Sequence, residues 1–134
     1  MTQTNTLLSL DVGTRRIGVA VIDGGVSIAR PLGIVEVDGE EVAAIKKLYE
    51  RYRPTMIVVG YPRNQSGEAT AQTALVEAFA DQLRSHSLPI AFQDESLTSV
   101  LAEQHLKATK KPYGKGDIDA VAAALILTDY AESH

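Results

Sequence analysis

Three apolar runs open the chain, at residues 7–12, 17–22 and 26–37. Each has the aliphatic density of a strand, and short turn signals at Gly13 and at Asp23-Gly24-Gly25 separate them, so they predict an antiparallel meander. Pro31 and Gly33 predict that the third strand is irregular, bulged or at an edge. Over 40–52 the spacing becomes helical, with Val42, Ile45, Leu48, Tyr49 and Tyr52 on one face and Arg53-Pro54 as the stop. The uniformly apolar run 56–59 reads as a strand covered on both faces, ended by Gly60-Tyr61-Pro62. After a polar loop, Ala71, Leu75, Val76, Phe79 and Leu83 predict a helix over 68–85. Pro89 opens a strand that ends at Asp94 or Glu95, and Ser96 is the expected N-cap of a helix over 97–107. A basic loop over 110–116 leads to a last helix over 118–131. A meander followed by βα crossovers implies an α/β fold, a mixed five-stranded sheet flanked by helices. With no linker, repeat or low-complexity segment, residues 1–134 are expected to form one domain.

Composition narrows the setting. No stretch approaches the about 20 apolar residues of a membrane helix. The polar Met1 to Thr6 lacks the basic start of a signal peptide, and there is no cysteine for a disulfide or thiolate site. A soluble cytoplasmic protein, off the membrane, is the expectation. The formal net charge of −4 is unlike that of a generic nucleic-acid binder. Yet Lys107, Lys110, Lys111 and Lys115 cluster with no acid among them, and Arg15, Arg16 and Arg63 fall in predicted loops. A basic rim around an acidic centre can still hold a phosphate backbone.

The acids lie at informative places. Asp11 ends the first strand and Glu95 the last, and ligands of open α/β sheets gather at the carboxyl ends of strands. From Ile118 to Leu127 every residue but Asp119 is apolar, which marks a buried helix with one carboxylate in its first turn. Asp117 lies about 200° round that helix and is read as its N-cap, leaving Asp119 as the functional candidate. Three carboxylates without a thiol suit a hard cation, Mg²⁺ or Mn²⁺, and carboxylate-held metals are the usual apparatus of phosphodiester hydrolysis. Acids at strand ends are also common as caps, so the residues alone leave both readings open.

Four blocks in order resemble one family. Asp11-Val12-Gly13-Thr14-Arg15-Arg16-Ile17-Gly18-Val19-Ala20 looks like the opening motif of the YqgF (RuvX) family, pre-16S rRNA nucleases related to Holliday junction resolvases. Gly60-Tyr61-Pro62 with Gly67 is similar to its G-x-P loop, Asp94-Glu95-Ser96-Leu97-Thr98-Ser99 to its D-E-R-L-T-T block, and Ile118 to Leu127 to its closing helix. The resemblance covers nearly the whole chain. It implies an RNase H-like fold, metal-dependent phosphodiester cleavage, and Asp11, Glu95 and Asp119 as the catalytic and metal-holding acids. It also implies a nucleic-acid substrate, either the 5′ end of a pre-16S rRNA in a ribosomal context or branched DNA cut by a homodimer; a monomer suits the former. Ser96 stands where the family usually has Arg, and Ser99 where it often has Thr.

Arg15, Arg16, Arg63, Lys111 and Lys115 are the candidate substrate contacts, against the plainer reading of solvated turns and loops. Gly13 and Gly18 are read as a turn residue and a close-packing residue, Thr98 as a helix cap, and His86, His105 and His134 as surface groups. Tyr113 could stack on a base or sit idle in its loop. Two other functions compete: a sugar-kinase or actin-like lobe, whose Asp-x-Gly-Thr hairpin holds phosphate, and a non-catalytic nucleic-acid-binding module. A chain of 134 residues is short for the two lobes of the first, and a mere binder gains nothing from three acids facing phosphate.

Overall fold

The computed structural model describes residues 6–23, 28–62, 70–95, 98–109 and 112–133. The opening meander is β1 (Leu7–Val12), β2 (Arg16–Ile22) and β3 (Arg30–Glu36). Then follow α1 (Glu41–Tyr52), β4 (Met56–Pro62), α2 (Ala71–Ser85), β5 (Ile90–Glu95), α3 (Thr98–Thr109) and α4 (Lys115–Ser133). The sheet runs β3-β2-β1-β4-β5, with β1, β2 and β3 antiparallel and β4 and β5 parallel to β1.

The period of two along the strands sorts the core into two layers. Leu8, Leu10 and Val12 of β1 join Ile17, Val19, Val21, Ile57 and Val59 on one face, under Ile45 of α1 and Val76, Phe79 and Leu83 of α2. Ala20, Ile22 and Val58 face the other way, onto Ala123, Ala124, Ile126 and Leu127 of α4. α3 packs on the far side of α4, so α4 lies between the sheet and a second helix. That enclosure is why its sequence is apolar all round.

The third strand is both bulged and at the edge: its register against β2 shifts between Val19 and Ala20, and Gly33 takes a φ of +138°. β4 does not stop at Gly60. It continues to Pro62 because β5 keeps pairing with it, Pro62 against Glu95, and a proline is tolerated at a strand's last position. α2 starts at Ala71, where Thr70 and Thr73 form a capping box; residues 63–69 and the expected cap Ser96 lie outside the described residues. Among the described residues no helix is long and apolar enough to cross a membrane.

Candidate active site

β1 ends in Asp11 and Val12, and the chain turns back at once. The Gly13 N–H donates to the Arg16 carbonyl at 3.0 Å, and a Cβ on residue 13 would sit 2.7 Å from that oxygen, so the turn requires glycine. The returning strand places Gly18 opposite Asp11. A Cβ there would overlap the Asp119 carbonyl, because the α4 backbone lies directly against β2 at this point. Farther along α4, the fully buried Ser9 hydroxyl donates to the Ala123 carbonyl at 2.6 Å. Ser9 and Asp11 are alternate residues of β1, and Ala123 and Asp119 are successive turns of α4. The glycine gap and the serine bond together fix the height of α4 on the sheet and bring Asp119 toward Asp11.

The two carboxylates meet different surroundings. Asp119 Oδ2 accepts from Arg16 Nε at 2.7 Å, and these side chains keep 25% and 28% of their surface exposed, so a solute can reach them. Asp11 is partly buried and makes no hydrogen bond or ion pair among the described residues. Burial first, and the charge of Asp119 second, push its pKa up to about 6. A sheltered carboxylate without a partner is costly, and a cation beside it would remove the cost. The donors at hand are carboxylate oxygens in a chain without cysteine, which suits Mg²⁺ or Mn²⁺. Among the described residues no three His, Cys, Asp or Glu groups meet as a metal cluster. The third candidate, Glu95, ends β5 opposite Pro62; its side chain lies outside the described residues.

A cavity of about 250 Å³ opens beside Asp119, lined by Gly13, Thr14, Arg15, Arg16, Gln72 and Asp119. It brings both candidate arginines to Asp119. Arg63 and Lys111 lie outside the described residues, and Lys115 is not in the loop expected of it but is the exposed first residue of α4. Asp117 caps that helix from within rather than from ahead: its carboxylate accepts from the Gly114 N–H at 2.9 Å. An acid in the third helical position, reaching back, looks in sequence like one just ahead of the helix. Asp119 therefore stands in the second turn, and Asp117 is exposed and committed to the cap. Of the histidines, His86 and His105 are exposed and His134 lies outside the described residues.

Gln72 carries no signal in the sequence. Its Nε2 donates to the Val12 carbonyl at 2.7 Å, and the Thr73 hydroxyl next to it donates to the Pro62 carbonyl at 2.5 Å. The first turn of α2 is thus tied to the carboxyl ends of both β1 and β4.

A family model described as "RuvX: Holliday junction resolvase" matches residues 5–133. The chain belongs to the RuvX family. Among its RuvX relatives, a Chloroflexus aurantiacus protein named "Putative pre-16S rRNA nuclease" is 42% identical over 95% of this chain and 86% of its own length. A Rickettsia typhi protein of the same name is 40% identical over 90% of this chain and 81% of its own. Solved structures give the fold. Thermus thermophilus RuvC in complex with a Holliday junction substrate superposes with a TM-score of 0.61 at 17% identity, covering 96% of each chain. The fowlpox virus Holliday junction resolvase gives 0.56 at 13% identity, over 96% of this chain and 99% of its own. The RuvX chain thus has the RNase H-like fold of RuvC-type resolvases.

Proposed function

We propose that this RuvX protein is a divalent-metal-dependent nuclease that hydrolyses phosphodiester bonds while processing the 5′ end of pre-16S rRNA. The observation that carries the reading is Asp11: a sheltered carboxylate with no hydrogen bond or ion pair among the described residues, set against the charge of a second one, Asp119, which lies beside an arginine-lined cavity. The names of the relatives support pre-rRNA as the substrate. Asp11, Asp119 and Glu95 would hold Mg²⁺ or Mn²⁺, which when bound supplies polarisation of the attacking water and neutralisation of the leaving oxygen. Arg16 fixes the Asp119 carboxylate through Nε, and its terminal guanidinium nitrogens, which make no hydrogen bond among the described residues, are available to a phosphate. Arg15 contributes an exposed charge at the cavity rim and Lys115 another at the start of α4, and Arg63 and Lys111 are substrate contacts that the sequence alone proposes.

Branched-DNA cleavage is the second reading, favoured by the family's description and by the junction bound to the Thermus thermophilus neighbour. It requires a homodimer to present two sites, whereas a monomer suffices for trimming in a ribosomal context. A cytoplasmic setting follows from that substrate. The deciding experiment offers labelled pre-16S rRNA, unrelated single-stranded RNA and a four-way DNA junction to the purified protein with Mg²⁺, Mn²⁺ or a chelator. Cleavage of the rRNA precursor that needs the metal supports the proposal. Cleavage of the junction alone transfers it to the second reading, and ATP hydrolysis without nuclease activity would return the chain to the kinase-like alternative.

A further inference from the structure

Besides Asp119 and the arginines, two polar side chains line the cavity, the exposed Thr14 hydroxyl and the amide of Gln72, and of the two the amide is the one anchored by a hydrogen bond among the described residues. Its orientation is settled by chemistry. A carbonyl can only accept, so the end of the amide at the Val12 oxygen is Nε2, and Oε1 is the opposite end. Oε1 accepts no hydrogen bond among the described residues. The amide is also held firmly: it springs from the capped first turn of α2, and the neighbouring Thr73 hydroxyl ties that turn to Pro62. A fixed, unfilled acceptor in a cleft is what a donor on a substrate would seek.

The rest of the lining narrows the donor. Arg15 and Arg16 are cationic donors suited to phosphate oxygens, and the Asp119 carboxylate is claimed by Arg16 and by the proposed cation. A phosphate presents only acceptors to this wall, so it leaves Gln72 unsatisfied. The sugar attached to it differs between the two nucleic acids: ribose carries a 2′-hydroxyl that can donate, and deoxyribose carries none. We infer that Gln72 Oε1 accepts a hydrogen bond from a ribose 2′-hydroxyl next to the phosphate held at the arginines, making Gln72 a determinant of RNA over DNA. The inference rests on the nuclease reading and deepens it, since that reading alone does not separate the two substrates. Val12 gives the contact its geometry. Its carbonyl belongs to the residue after Asp11, so the amide is registered to the strand that carries the candidate catalytic acid.

The test compares a short single-stranded RNA with the same RNA lacking one 2′-hydroxyl, moved position by position, for wild type and Gln72→Leu. Binding is read by anisotropy with Ca²⁺ in place of Mg²⁺, and cleavage is read with Mg²⁺. For wild type, one deoxy position is expected to weaken binding about fivefold, the worth of one neutral hydrogen bond. Gln72→Leu is expected to bind the all-ribose strand about fivefold more weakly and the strand deoxy at that position unchanged. Loss of the Val12 bond alone would weaken both strands equally and leave the ratio intact, which would overturn the inference. So would a wild type that binds every deoxy-substituted strand as tightly as RNA. Absence of cleavage with the binding ratio intact would refute the nuclease reading and leave the Gln72 contact standing.

Discussion

Replacing Asp11 with asparagine should make the metal-free protein more stable. The folded carboxyl titrates near 6 against an ordinary value of 3.8, because burial and Asp119 oppose its charge. Below the ordinary value the group is protonated in both folded and unfolded chains and costs nothing. Above about pH 6 it is ionised in both, and the folded state bears the full cost of the sheltered charge. At about 1.4 kcal/mol per unit the cost approaches 3 kcal/mol, and residual solvent access reduces it to about 1–3 kcal/mol. For a chain of this length that corresponds to roughly 4–10 °C in melting temperature. The assay is thermal unfolding of wild type and Asp11→Asn in chelator, near neutral pH and again near pH 4. The variant should melt higher near neutrality, and the gap should narrow sharply in acid. Added Mg²⁺ should raise the wild type and leave the variant unmoved. A variant that melts lower than wild type in chelator at neutral pH would mean that Asp11 has a structural partner, and the reasoning would fail.

Gly18→Ala forces a methyl group into the Asp119 carbonyl, so α4 must lift; the expected loss is about 1–3 kcal/mol or more in urea unfolding, with cleavage lost even where the fold survives. Ser9→Ala removes a buried hydrogen bond from the same helix and should cost about 1–2 kcal/mol in that assay. Arg15→Ala touches an exposed side chain, so melting should not change, while the salt dependence of RNA binding should lose about 0.7 from its logarithmic slope, the share of one phosphate contact on a single strand.

Local patterns carried much of the architecture. The meander, the covered β4 and the all-round apolar α4 are legible because period and turn chemistry are short-range properties. Gly13 and Gly18 read correctly as turn and close-packing residues, and Pro31 with Gly33 marked a bulged edge. The Arg16–Asp119 pair was not legible, because it depends on the height at which α4 crosses the sheet. That height is set by Gly18 and Ser9 acting on residues far away in sequence. The start of α4 is not legible, because Gly114, Lys115 and Gly116 look like loop while Asp117 caps backward from inside the helix. Gln72 is one polar residue on a helix with an ordinary apolar face, and only its bond to Val12 sets it apart.

Asp117 and Asp119 sit two residues apart with the same chemistry, one committed to a cap and one facing Arg16 and the cavity. Cleavage of pre-16S rRNA by Asp119→Asn and Asp117→Asn, in Mg²⁺ and with matched melting curves, therefore tests the central claim most directly. The account predicts that Asp119→Asn is inactive and folded, and that Asp117→Asn cleaves like wild type after a small loss of stability. An active Asp119→Asn beside an inactive, folded Asp117→Asn would contradict it.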